Sequence, residues 1–195
     1  MTTPAQIQDY LNGLAFNFEE NGGTLSSPQT VADRGSAHCF EGAILGAYFL
    51  SKIGHAPLVM CLKSTRHDFD HVIAPFRVNG YWGALSKTNH AVLRYREPVY
   101  ATIRELAMSY FHEYFLADGT KTLRRYSDLL DLSMFSDDWA HSPDDLWGIN
   151  EELDKMPYYD IVPQSLVKSL RKADPIERKA GEIVEWKPRG KRVKL

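Results

Sequence analysis

Two cysteines and seven histidines are the residues most able to do covalent chemistry in this chain. Cys39 stands in GSAHCFEGAIL, where a polar Gly-Ser-Ala-His stretch gives way to an apolar run that reads as a helix. The thiolate is the nucleophilic form of cysteine. A helix N-terminus stabilises it and also offers backbone N–H groups to an oxyanion. Those are the requirements of an acyl-transfer nucleophile, although a buried cysteine also serves as a plain core residue. His71 opens the strand-like run HVIAPF and is the candidate base, since a cysteine on a helix facing a histidine on a strand is a known way to activate a thiol. Cys61 sits in the apolar run VMCL with no base beside it and reads as a small core hydrophobe.

Other polar groups cluster around these two. His38 precedes Cys39 and would raise the local positive potential or be incidental there. Glu41 falls in the first helical turn, where a carboxylate favours the helix dipole. Gln29 is a weak candidate for an oxyanion donor. Lys87, Arg94 and Arg96 would suit an acidic or amide-rich substrate, or simply a solvated surface. The run HDFDH, residues 67–71, contains imidazole and carboxylate groups, but such short polar clusters are more often solvated loops, so no metal and no cofactor are expected.

The elements that must position these residues can be read from periodicity and breakers. Thr3 and Pro4 start a first helix whose stripe is Ile7, Leu11, Leu14 and Phe18, and Asn21-Gly22-Gly23 ends it. Ser26, Ser27 and Pro28 introduce a second short element. Cys39 opens a buried helix with Phe40, Ala43, Ile44, Ala47, Tyr48 and Leu50, stopped by Gly54, and residues 57–62 read as a buried strand. Residues 71–78 and 81–85 form a hairpin around Asn79-Gly80, the strongest short turn signal. Residues 94–97 are extended, and Pro98 is expected to start a long helix over residues 99–115 with Ile103, Leu106, Ala107, Tyr110 and Tyr114 on one face. The charged and aromatic residues interleaved there read as an amphipathic cover for the sheet rather than a base-stacking platform. From Ser127 the pattern weakens; Trp139 and Trp147 would pack this arm back, and a short helix is expected over residues 163–172.

The implied fold class is α+β: a small antiparallel sheet of residues 57–62, 71–78 and 81–85 packed against the Cys39 helix and the helix at 99–115. The 195 residues suffice for one sizeable core, and no linker divides them, so residues 1–172 read as one domain and residues 173–195 as a charged tail. The stretch WKPRGKRVK near its end carries five lysines or arginines. A formal net charge of −2 gives no field that would draw in nucleic acid or an anionic membrane. There is no basic-then-apolar leader and no apolar stretch near the ~20 residues that span a bilayer. A cytoplasmic location, compatible with a free thiol, is the expectation.

The stretch from Gly35 to Asn89 resembles the transglutaminase-like superfamily, which shares the papain-like catalytic core. The resemblance lies in HCFEGAILGAYFLSKIGHAPLVMCL, a cysteine at a helix start followed by a glycine and a strand; in DHVIAPF, a histidine heading a strand; and in NGYWGALSKTN, a Trp-containing strand. It implies that fold, with Cys39 as nucleophile and His71 as base. It also implies a thioester acyl-enzyme formed from a peptide, protein or small amide substrate and resolved by water or by an amine. The family's aspartate would fall near Ser86, where this chain has no carboxylate. Asn89 is the preferred substitute, because an amide oxygen can fix the tautomer of an imidazole. Regular hairpin pairing argues instead for Ser86, which would lie diagonal to His71 on the same face; Asn89 requires the strand to end at about residue 86. The missing carboxylate leaves open a non-catalytic interaction module on the same fold.

Overall fold

A computed structural model describes residues 1–20 and 22–185. Helix α1, Pro4–Gly13, is capped by Thr3, whose hydroxyl accepts the Gln6 N–H at 3.3 Å, with proline at the first helical position. It stops well short of Phe18. Beyond Gly13 the chain turns extended, and Ala15–Phe16 (β1) pairs in parallel with Ser36–Ala37 (β2). Ala15 N–H donates to the Gly35 carbonyl at 3.0 Å and Asn17 N–H to Ala37 at 3.2 Å. The apolar stripe runs on past Gly13, but these long-range backbone bonds outcompete the helix, which glycine already weakens. Asn21, expected as part of the helix stop, lies outside the described residues.

Helix α2, Pro28–Arg34, is capped by Ser27 and closed by Gly35 in the left-handed region at φ +74°. Helix α3, Cys39–Lys52, buries every residue from Phe40 to Ala47, and Gly54 follows it at φ +91°. Strands β3 (Leu58–Lys63), β4 (His71–Val78) and β5 (Tyr81–Leu85) then fall where the pattern puts them. Asn79 and Gly80 both have positive φ, at 49° and 89°, which makes the two-residue turn that joins β4 to β5 with Val78 opposite Tyr81.

The expected long helix over residues 99–115 is not formed. Pro98, Val99 and Tyr100 belong to β6, Arg96–Tyr100, an edge strand where a proline removes no needed ladder bond. Helix α4 is only Ile103–Met108, capped by the Thr102 hydroxyl, with a single 3₁₀ turn at Phe111–Glu113 after it. The apolar positions of the segment nonetheless pack inward, with Leu106 and Ala107 of α4 and Tyr110 and Tyr114 after it buried. Short strands β7 (Arg125–Ser127), β8 (Leu130–Asp131) and β9 (Tyr158–Asp160) and helix α5 (Trp147–Lys155) follow.

The main sheet runs β6-β5-β4-β3-β7-β9 with antiparallel pairing, and β8 pairs with the start of β3. Both of its faces are covered. Val59, Cys61, Val72, Ala74 and Phe76 point into a core shared with α1, α2, α3 and α5. Met60, Leu62 and Ile73 point the other way, onto α4 and the tyrosines after it. The result is a mixed α+β fold with helices packed against an antiparallel sheet. Trp139 meets Tyr48 edge-on at 6.0 Å, while Trp147 stays half exposed. The short helix expected at residues 163–172 is a 3₁₀ helix at Gln164–Ser169.

Part of the expected tail is folded onto this body: Ala173 is buried and bonds to the Gly119 carbonyl, α6 spans Pro175–Gly181, and Val184 bridges to His90. The basic stretch after Glu185 lies outside the described residues. Among the described residues no helix is long and apolar enough to cross a membrane.

Candidate active site

Cys39 is the first residue of α3 and is partly exposed, whereas Cys61 is buried in β3. His71, the first residue of β4, is buried. His71 and His38 both act on the Cys39 thiol and favour its ionised form. The His71 ring is oriented from behind by Ser86, whose Oγ lies 2.8 Å from Nε2. Ser86 spends its single proton on the Leu93 carbonyl at 2.5 Å, so the proton between Ser86 and His71 must sit on Nε2. That leaves Nδ1 as the basic nitrogen of the neutral ring.

The orienting group is therefore Ser86, which corrects the preference for Asn89. β5 does end at Leu85, as Asn89 required, but for a reason that favours serine. The Ser86 N–H donates to Gln8 Oε1 at 2.9 Å, and Gln8 Nε2 donates back to the Ser86 carbonyl at 2.8 Å. Gln8, buried on α1, thus takes over both backbone groups that the next ladder step would use and holds Ser86 on the face shared with His71. Lys87 continues the same clamp: its Nζ donates to the Leu14 carbonyl at 2.6 Å, and its stem lies against Gly42 of α3. Asn89 lines a separate cleft with Ala91, Arg94, Ile183 and Glu185, and its carbonyl accepts from the Glu185 N–H.

His38 is the N-cap residue of α3. Its Nε2 lies 2.7 Å from the Thr24 carbonyl and faces Glu19 at 3.6 Å and Glu41 at 3.7 Å. Glu41 is fully buried and more than a dipole partner. It accepts from Arg34 at 2.7 Å, Thr24 Oγ1 at 2.9 Å, Asn17 Nδ2 at 3.1 Å, and the Ser26 and His38 N–H groups at 3.2 Å. Arg34 and these hydrogen bonds hold its carboxyl below the ordinary range against the effect of burial. Burial likewise pushes the Cys39 thiol up, but hydrogen bonds from His38 and His71, with electrostatic attraction to both rings, outweigh it and bring the thiol down to about 5. Burial pulls His38 down, and the bond to Cys39, attraction to Cys39 and Glu41, and the Thr24 carbonyl raise it to about 9. Cys61 is the opposite case: burial pushes its thiol up to about 12.

No family model matches the chain, and no curated protein is significantly similar to it in sequence.

Several sequence candidates do not join the site. Gln29 is exposed and bonds Asp33 at 3.1 Å. Arg96 is committed to Glu113 at 2.7 Å, and Arg94 lines the Asn89 cleft. Lys87 is buried, and its desolvated ammonium is pulled down to about 8 with Arg94 nearby. The carboxylates of HDFDH shape their own loop: Asp70 pairs with Lys63 at 2.6 Å and accepts from the Ser64 N–H, and Asp68 accepts from Thr122 at 2.5 Å. Among the described residues no group of three or more His, Cys, Asp or Glu could hold a metal ion.

Sequence gives no site role to Gln8, Asn17 or Thr24, and reads Tyr114 only as part of an apolar face. The Tyr114 hydroxyl donates to the Phe69 carbonyl two residues before His71, fixing the loop that delivers the base. Gln8 stands as a polar residue beside the apolar stripe of α1, which is its only local signal.

Proposed function

We propose that this protein is a cysteine-dependent amide or peptide hydrolase or acyltransferase with a transglutaminase-like, papain-like core, working through a thioester acyl-enzyme. The observation that carries this reading is a cysteine at the head of α3 whose ionised form is favoured by a histidine, the tautomer of which is held by a second group.

The chemistry follows from those positions. The thiol proton passes to His71 Nδ1, and the sulfur attacks the carbonyl carbon of an amide. The C=O electron pair moves onto oxygen, where the first-turn N–H groups of α3, which have no helical partner, can receive it. The tetrahedral adduct collapses, the C–N bond breaks, and the His71 proton leaves with the amine. The remaining thioester is attacked by water or a second amine, which gives its proton to His71; the C–S bond breaks, releasing an acid or a new amide and returning the proton to sulfur. Ser86 keeps Nε2 protonated throughout. It supplies no charge, so it orients His71 without stabilising an imidazolium as a carboxylate would.

The test is a panel of glutamine-containing peptides and small activated amides, with hydroxylamine as acceptor and mass spectrometry of the protein. We expect an acyl adduct on Cys39 and hydroxamate product, abolished in Cys39→Ala and largely kept in Cys61→Ser. Equal loss in both folded variants would reject the assignment of the nucleophile. Absence of any adduct or turnover across the panel would favour the non-catalytic module.

A further inference from the structure

The carboxylate that His71 lacks stands behind the other histidine. His71 is backed by a neutral hydroxyl and, through it, a backbone carbonyl. His38 is backed by two carboxylates and a carbonyl, all directed at Nε2: Thr24 at 2.7 Å, Glu19 at 3.6 Å and Glu41 at 3.7 Å. A carbonyl accepts only, so Nε2 of His38 must carry a proton. Two nearby carboxylates then favour protonation of the ring as a whole. The His38 ring is nearly closed off from solvent, its side chain being 11 % exposed, so this attraction is weakly screened.

We propose that His38 is a fixed positive charge held against the Cys39 sulfur, and that His71 alone moves the proton. This rests on the reading of Cys39 as the nucleophile and divides between two residues what a single imidazolium does in a thiol–imidazole pair. His38 stabilises the thiolate directly. His71, freed from that duty, takes the thiol proton on Nδ1 and passes it to the leaving amine, and for this it needs only a correct tautomer, which a serine can provide. The groups facing His38 from each packed element fit this role: Glu19 from the loop after β1, Thr24 from the loop before α2, Glu41 and Cys39 from α3, and Arg34 of α2 behind Glu41. Arg34 is bonded to Glu41 rather than to His38, so its charge is largely spent on the carboxylate. His71 of β4 is the other ring that acts on the thiol.

The division is tested by the rate of iodoacetamide labelling of Cys39 across pH 4–10, which needs no turnover. Unaltered protein should label with an acid inflection at about pH 5. His38→Gln should move that inflection up by about one unit or more, a loss of about tenfold in thiolate at a fixed pH below it, and His71→Gln should move it less. Amide turnover should be abolished by His71→Gln. A labelling profile indifferent to His38→Gln but shifted by His71→Gln would overturn the proposal. Should His38→Gln fail to fold, the imidazole signal of His38 in unaltered protein decides by NMR titration. A proton retained to about pH 9 supports the fixed charge, and one lost near the ordinary 6.5 overturns it. Failure of the underlying reading looks different: His38-dependent labelling with no amide turnover would leave the charge in place and remove the enzyme.

Discussion

At the scale of single residues, the pair formed by His71 and Ser86 makes the sharpest claim. The hydroxyl fixes the imidazole by accepting from Nε2 at 2.8 Å, and it is itself fixed by donating to Leu93. Removing it leaves a base free to rotate or to adopt the wrong tautomer, which costs about an order of magnitude or more in general-base catalysis. Ser86→Ala should therefore lower turnover by that much with the fold retained, and Asn89→Ala should change it far less. The ratio of the two rates on any turned-over amide checks this. A more damaged Asn89→Ala enzyme would mean that the loop rearranges when substrate binds and that the bond to Ser86 is not the working one.

At the scale of elements, the site is an arrangement of α1, the head of α3 and the end of β5 around residues 86–87. Gly42 of α3 packs directly on Lys87. A Cβ built there would lie 2.2 Å from Lys87 Cβ and 2.8 Å from its Cγ, with the Lys87 backbone close behind. No rotamer change of Lys87 relieves a clash at its own Cβ, so one element must move. Gly42→Ala is expected to destabilise by roughly 1–3 kcal/mol despite alanine's better helix propensity. It should also slow turnover, because Ser86 is displaced with Lys87. Chemical denaturation together with kinetics tests this; a stabilised variant, as propensity alone would give, would show that the clamp between α3 and residue 87 is loose.

At the scale of the whole molecule, the charges at the site link stability to pH. The His38 ring keeps its proton in the folded state to about pH 9, against an ordinary 6.5, so its contribution is complete below 6.5 and lost as pH rises through 9. The Cys39 thiol is held down to about 5 against an ordinary 9, so its contribution is complete above 9 and lost as pH falls through 5. Each shift depends on the charge of the other, so their joint contribution is confined between about pH 5 and 9. Urea denaturation of the unaltered protein and of Cys39→Ala should show a stability difference that is largest near pH 7 and shrinks on both flanks. A difference constant from pH 4 to 10 would mean that the thiol and His38 do not form an ion pair.

The sequence by itself determined the features whose physics is local. A polar-to-apolar switch marks the start of α3 at Cys39, and Asn79-Gly80 can adopt the positive φ values of a tight turn. That two-residue turn sets the register that puts Ser86 diagonal to His71. From these, the candidate nucleophile, the candidate base and both candidates for the third residue could be named. The tertiary structure decided what depends on distant partners for backbone and buried polar groups. α1 ends at Gly13 because Gly35 and Ala37 take the next N–H groups, and residues 98–100 are strand because β5 offers an edge. The choice of Ser86 over Asn89 was made by Gln8, 78 residues away, whose amide satisfies both backbone groups of Ser86. The surroundings of His38 were equally hidden, since Glu19 and Thr24 belong to a loop that meets the head of α3 only through tertiary contacts. Periodicity reports which face of an element is buried. It carries no information about which buried donor meets which acceptor, and in this site that pairing sets the tautomer of one histidine and the charge of the other.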